Sequence, residues 1–419
     1  MVQQQINSNL GINVAGHASG EFGIGEGMRG TLRGLEAVGI PFTIRDIKVD
    51  WHRNLDYSYT NFSEEQPYPI NLVHTPPIGG VMESLGANYF QGRYNIGYWA
   101  WELPLLPPGW LYAFYSFDEI WTPSNYSAEA ISAVSPIPVV KVPHSIYLPE
   151  TSLDREALGL PKDKFIFLFL FDYHSRLSRK NPVGTIEAFK RAFGKSNQEV
   201  LLLIKSSNGK FHPDLQAQLL SHTEGWPSIQ FIEGHLQKEE LHALIDNCNC
   251  YVSLHRAEGF GLTMAEAMYY GKPVIATAHS ANMEFMNVGN SFLVKYDMVT
   301  IIEDDGPYFK GNAWAEPDLD HAASLMRYVF DNYEEAEQVG ARAAREIRSL
   351  LSPQAVGSKI KIRLEDIMNR MNHSTRSTTL RKIQTETGLS QSQVQVWKQT
   401  ALQIQTELER RQRLAIPSG

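Results

Sequence analysis

Short apolar strands alternate with helical segments twice along this chain, and that alternation constrains its fold more than any other feature. The first run opens with Ile12-Asn13-Val14-Ala15-Gly16 and passes through a glycine-rich loop from Gly20 to Gly27. It continues as a helical pattern carrying Met28, Leu32, Leu35 and Val38, and stops at Gly39. A second strand is expected at 41–46, and others at 70–73, 94–100, 119–122 and 139–142. The second run begins with the consecutive apolar residues Phe165 to Phe171, with strands expected at 200–205, 229–233, 250–254 and 273–276. Strand, loop, helix, strand is the pattern of a doubly wound α/β domain. Its occurrence in two halves predicts two Rossmann-like domains, 1–148 and 149–371, joined through a linker over 145–164 that is rich in Pro, Leu and charge.

From about Asn372 the composition shifts to Gln, Thr and Ser. Ser390 and Gln393 have capping-box spacing, and Val394, Trp397, Ala401, Ile404 and Leu408 follow at helical intervals. Residues 372–419 therefore read as a connector and an amphipathic helix that docks on the body or self-associates. Its polar face offers few of the basic residues that a membrane-surface helix uses.

The 419 residues suit about two to three domains, and 43% hydrophobic residues suffice for folded cores. A net charge of -8 argues against a nucleic-acid partner, which needs a basic footprint. The first residues, Met1 to Gln5, lack the features of a signal peptide. No apolar run approaches the ~20 residues of a bilayer span. The expected setting is cytoplasmic, or peripheral to a membrane. Cys248 and Cys250 have no further ligands at metal-site spacing and read as structural thiols pointing to one side of a strand.

The most informative stretch runs from His255 to Met268 and ends in Tyr269-Tyr270-Gly271-Lys272-Pro273. Gly259 and Gly261 permit a tight turn close to a ligand. A helix starting near Leu262 would aim its unpaired N–H groups at that turn, a setting that suits phosphate. Glu258 and Glu266 flank it, and ionised carboxylates are natural acceptors for sugar hydroxyls. A second loop, Asp172 to Pro182, follows the apolar strand. There Asn181 can cap a helix that Pro182 begins, placing Lys180 at its mouth.

Glu258-Gly259-Phe260-Gly261-Leu262 followed by Ala265-Glu266-Ala267-Met268 resembles the donor-site motif of group-1 (family 4-like) retaining glycosyltransferases. The resemblance covers most of residues 10–370, including Gly234-His235-Leu236 and Asn312 to Asp318, and not the tail. It implies the GT-B fold, two facing Rossmann-like domains, and transfer of a sugar from a nucleotide-sugar donor to a glycan, lipid-linked or other acceptor. It further implies that Glu258 contacts the donor sugar and Glu266 the ribose. The backbone over Gly259, Phe260, Gly261, Leu262 and Thr263 would hold the diphosphate. An arginine and a lysine of the second loop would neutralise the leaving group. Lys180 matches the lysine, Arg176 and Arg179 are both available as the arginine, and the positions where many relatives carry it read His174 or Ser175.

The expected catalytic set is thus Lys180, Glu258 and Arg179, with Arg176 and Ser175 on the donor side. In the first domain, Gly23 and Gly25 are expected to face the donor phosphate, and Trp101 and Glu102 the acceptor. His74 and His144 read as structural. Asp318-Leu319-Asp320 has the form of a metal motif, yet Asp318 stands where it would cap a helix. No metal or other cofactor is expected, because Lys180, a second cation and helix N–H groups can stabilise the leaving charge. Polysaccharide, lipid-linked glycan and protein all stand as acceptors, and the resemblance slightly favours cell-surface polysaccharide biosynthesis. Two alternatives stand beside this reading. One is a sugar-nucleotide-binding scaffold or regulator without strong catalysis. The other is an NAD(P)-dependent oxidoreductase, suggested by Gly23, Gly25 and the strand-ending Asp46, although the third glycine position reads Met28.

Overall fold

The structure, a computed structural model, describes residues 10–50 and 52–373. The tail helix expected around Ser390 to Leu408 lies outside them. The first domain is a six-stranded sheet of β1 (Ile12–Gly16), β2 (Phe42–Asp46), β3 (Ile70–His74), β4 (Tyr94–Tyr98), β5 (Glu119–Thr122) and β6 (Val139–Lys141), in the order β2-β1-β3-β4-β5-β6. The second is built from β7 (Phe165–Asp172), β8 (Val200–Ser207), β9 (Ile229–Glu233), β10 (Cys250–Ser253), β11 (Val274–Thr277) and β12 (Phe292–Val294), ordered β12-β11-β10-β7-β8-β9. All pairings in both sheets are parallel. These are two Rossmann-like domains, joined by residues 145–164, which carry neither helix nor strand.

Strand β7 shows why the second sheet is covered on both faces. Ile166, Leu168 and Leu170 enter one apolar cluster, while Phe167, Phe169 and Phe171 enter the other. This two-residue alternation with both sides apolar is what a strand between two helical layers requires. The helices Leu262–Tyr269 and Tyr333–Leu350 cover the first face, and Pro182–Phe193 and Leu319–Asp331 the second. Cys248 belongs to the first cluster and Cys250 to the second, so the two thiols do not share a side. Cys248 precedes the strand, and the alternation of β10 does not extend to it. Both are free and buried.

The expected domain boundary at 371 needs one correction. Helix Pro353–His373 follows the second domain in sequence but packs on the first. Its Val356, Ile360 and Leu364 share a core with Leu32 and Leu35 of helix Gly23–Ala37. The two helices approach so closely that a Cβ on Gly357 would stand 2.0 Å from the Gly34 carbonyl oxygen. Arg363 of the crossing helix also pairs with the fully buried Glu119 of β5, its Nε donating at 3.1 Å.

An antiparallel pair, β13 (Tyr296–Thr300) and β14 (Ala313–Pro317), stands apart from both sheets. The loop between its strands, 301–312, reaches the first domain. Among the described residues no helix is long and apolar enough to cross a membrane.

Candidate active site

Each sheet has a switch point, where neighbouring strands lead their connections to opposite faces, and ligands of open α/β sheets bind outside the strand ends there. In the second sheet that point lies between β7 and β10, in the first between β1 and β3. The two face a common cleft of about 770 Å³. The loops after β7 and β10 carry Lys180 and Glu258, and the glycine-rich loop follows β1.

Local structure sets each side chain. Asn181 adopts a left-handed conformation at φ 55°, and its Oδ1 accepts the Gly184 N–H at 3.1 Å, so helix Pro182–Phe193 starts as its sequence predicts. Asn181 Nδ2 donates to the Leu254 carbonyl at 2.9 Å, tying the loop after β7 to the end of β10. That tie brings residues 78 positions apart together. Lys180 Nζ donates to Glu258 Oε1, and Arg179 Nη1 stands 3.2 Å from the same oxygen. Arg179 Nη1 also donates to the Ala257 carbonyl at 2.9 Å. Gly261, at φ +97°, turns the chain into helix Leu262–Tyr269; a Cβ there would meet Met264 Cε at 2.6 Å. Leu262 and Thr263, the first residues of that helix, line the cleft.

The charges are balanced by proximity. Burial would push the Glu258 carboxyl up, but Lys180 and Arg179 outweigh it and hold it down at about 2. Burial lowers the Lys180 ammonium, opposed by Glu258. Burial also acts to lower Arg179, but Tyr308, Glu258 and Glu102 raise it further. At the other end of the helix turn, burial and then the nearby Glu26 push the Glu266 carboxyl up to about 8. Glu26 is held by Arg33 at 2.6 Å and Arg29 at 2.9 Å. Lys238 of the second domain reaches across to Glu26 at 3.4 Å and Asp56 at 3.2 Å.

The structure places Lys180, Arg179, Glu258, Glu102, Glu266, Ser175, Arg176, Gly23 and the segment Gly259 to Thr263 along the cleft. It separates the two arginines left open by the sequence. Arg179 is buried between Glu258 and Glu102, whereas the Arg176 side chain is 41% exposed and faces Asp305 at 3.6 Å. Two expectations fail. Gly25 is buried away from the cleft, where a Cβ would stand 2.3 Å from the Gly20 carbonyl oxygen; it serves the turn into the helix, not a phosphate. Trp101 is 2% exposed and packs on Trp110 and Tyr308, its Nε1 donating to the Leu105 carbonyl at 3.0 Å, so it offers no face to a sugar. Apolar packing claimed the ring, and Glu102, next in the chain, turns to the cleft instead.

His74 and His144 also line the cleft, but both are buried against Tyr98, with His74 stacked on it at 4.0 Å. Burial pushes His144 down to about 3, which keeps its ring neutral. Asp46 accepts from the backbone N–H and hydroxyl of Ser19 at 2.9 and 2.6 Å, so its carboxylate braces the loop after β1 and is not free for a ribose. Asp318 accepts the N–H groups of Asp320 and His321, the cap its position predicts. Sequence reasoning missed Phe22, His52, Lys238 and Tyr308, all of which line the cleft. Tyr308 follows Gly306-Pro307, a turn signal, and nothing in the sequence states which domain that turn touches.

Residues 150–346 match the family described as Glycosyl transferases group 1. The match spans most of the second domain. No curated protein sequence matches the chain. Among solved structures this chain resembles sucrose-phosphate synthase from Thermosynechococcus elongatus, at 14% identity and TM-score 0.62, over 86% of this chain and 99% of that one. It also resembles HepE of Anabaena in complex with UDP and glucose, at 14% identity and TM-score 0.58, over 85% of this chain and 100% of that one. TarM of S. aureus aligns at 13% identity and TM-score 0.52, over 70% of this chain, which spans 55% of TarM's length. At these identities the likeness is one of fold: two facing Rossmann-like domains.

Proposed function

We propose that this glycosyltransferase moves a sugar from a nucleotide-sugar donor to a hydroxyl acceptor, with retention of configuration and without a metal. The observation that carries the reading is the convergence of Lys180 and Arg179 on Glu258 beside the opening turn of helix Leu262–Tyr269. Two fixed cations and a helix N-terminus in a partly dry cleft supply what a departing diphosphate needs. Glu258, kept ionised, accepts hydrogen bonds from the donor sugar, and Glu266 receives the ribose hydroxyls. Gly23, whose missing Cβ faces only Leu262 at 3.8 Å, leaves room for the phosphates from the first-domain side. Phe22 and His52, stacked at 4.2 Å, and Glu102 form the first-domain wall against which the acceptor would stand.

In the proposed step the bond from the anomeric carbon to the β-phosphate oxygen breaks, and its electron pair stays with the phosphate. The acceptor oxygen bonds to the same face of that carbon, and its proton passes to the leaving phosphate. Contact between the domains excludes water and so limits hydrolysis.

Thermal-shift measurements with nucleoside diphosphates, nucleotide sugars and NAD(P), each with and without EDTA, test the reading. UDP-sugars come first, because the HepE structure holds UDP and glucose. At about 100 times the dissociation constant, a true ligand adds roughly 2.7 kcal/mol. Stabilisation by one nucleotide-sugar set, unchanged by EDTA, is expected. Stabilisation by NAD(P) alone would overturn the proposal, and loss of the effect in EDTA would overturn its metal independence.

A further inference from the structure

We propose that Tyr308 is a positioning residue for sugar transfer: acting through Glu102, it completes the set of contacts that orients Arg179 at the donor site when the two domains are together. The inference rests on the donor site proposed above and adds to it a residue from the loop between β13 and β14.

Tyr308 and Arg179 belong to the second domain and Glu102 to the first. The Tyr308 hydroxyl donates to Glu102 Oε1, and the same oxygen stands 3.4 Å from Arg179 Nε. Arg179 Nη1 then reaches Glu258 at 3.2 Å. A buried line of groups thus runs from the loop, across the first domain, and back to the residue that meets the donor sugar. Tyr308 is 3% exposed, and its ring lies between Trp101 of the first domain, at 5.8 Å, and Trp314 of β14, at 6.2 Å. The loop is pinned independently of Tyr308. Asn312 Nδ2 donates to the Leu105 carbonyl at 2.9 Å, and the Leu105 N–H donates to Asn312 Oδ1 at 3.2 Å.

The physical consequence follows from charge. Glu258 serves both Lys180 and Arg179. When a diphosphate shares the charge of Lys180 and Arg179 and sugar hydroxyls occupy Glu258, Glu102 keeps a carboxylate on the Nε side of Arg179 and so fixes its orientation. Glu102 reaches Arg179 only from the other domain, and a hydrogen bond from a hydroxyl to a carboxylate is charge-assisted and directional. Tyr308 therefore fixes which way the Glu102 carboxylate points at the moment of closure.

The test compares steady-state kinetics of the full-length protein and its Tyr308→Phe, Tyr308→Ala, Glu102→Gln and Tyr308→Phe/Glu102→Gln variants. The substrate is the nucleotide sugar that stabilises the wild type. Tyr308→Phe keeps the buried ring and removes only the hydroxyl. It is expected to lower kcat by about 10- to 100-fold, the range for a hydrogen bond to a charged group, with donor KM nearly unchanged. The double variant is expected to fall below Glu102→Gln by clearly less than the Tyr308→Phe factor, because both residues act on the position of Arg179. If Tyr308→Phe turns over like the wild type while Tyr308→Ala fails, the ring is packing only and the inference falls. Fully multiplicative losses would also overturn it. A wild type that turns over no nucleotide sugar would defeat the donor-site proposal itself, and this inference with it.

Discussion

Replacing Glu258 by glutamine preserves the shape of the side chain and removes the anion that Lys180 and Arg179 share. Burial works against that anion, and the two cations more than offset the cost, holding the carboxyl at about 2 where 4.5 is ordinary. At about 1.4 kcal/mol for each tenfold change in proton affinity, that difference corresponds to about 3 kcal/mol. The side chain is only 10% exposed, so solvent screening takes little of it. The sign is fixed by which state binds protons. Between about 2 and 4.5 the unfolded carboxyl is protonated before the folded one, so the contribution is complete above 4.5 and disappears as the pH falls through 2. Domains of this size lose roughly 2–4 °C per kcal/mol, so Glu258→Gln should melt roughly 6–12 °C below the wild type at pH 7. Melting curves of both proteins at pH 7, 5, 4 and 3 check this. The gap should be the same at pH 7 and 5 and shrink at 4 and 3. A gap that persists unchanged to pH 3, or none at pH 7, would refute the electrostatic account of the site.

Lys180→Ala should lower turnover by about 100- to 1,000-fold, the cost of losing one group that stabilises developing charge, with its circular dichroism unchanged. Arg176→Ala, which removes a half-exposed side chain facing Asp305, should cost far less; equal losses would mean the wrong arginine has been assigned. Trp101→Ala should destabilise the protein by about 3–5 kcal/mol, as for other buried aromatics, measured by urea titration. Trp101→Phe should keep the fold and leave acceptor KM nearly unchanged. Glu266, pushed up to about 8, is mostly protonated at pH 7, so ribose hydroxyls donating to its ionised form require a proton to leave. Donor titrations by calorimetry in buffers of different ionisation enthalpy should show that release, and Glu266→Gln should abolish it; buffer-independent heats in the wild type would contradict the assignment.

Sequence alone determined the elements whose cause is local. The two-residue alternation of Ile166 to Phe171 dictates a strand buried on both faces, and Asn181-Pro182 dictates where a helix begins. Gly261 marks the turn before another helix, because few other residues tolerate its backbone angle. These signals also located Lys180 and Glu258 at strand ends, where an α/β fold exposes its loops. Tertiary structure decided every question of which groups meet. Strand order laid β7 beside β10 and so joined Lys180 to Glu258 across 78 positions. Core packing took Trp101 inward and left Glu102 in the cleft, and it buried Arg179 between two carboxylates while leaving Arg176 half-exposed. The apolar face of helix Pro353–His373 is periodic in the sequence, but periodicity does not name a partner, and the first domain claimed it. Tyr308 and Glu102, 206 positions apart, meet only because two separately folded domains close on each other. Local backbone preferences fall off within a few residues, whereas the cleft is assembled from contacts between domains, which no local pattern encodes.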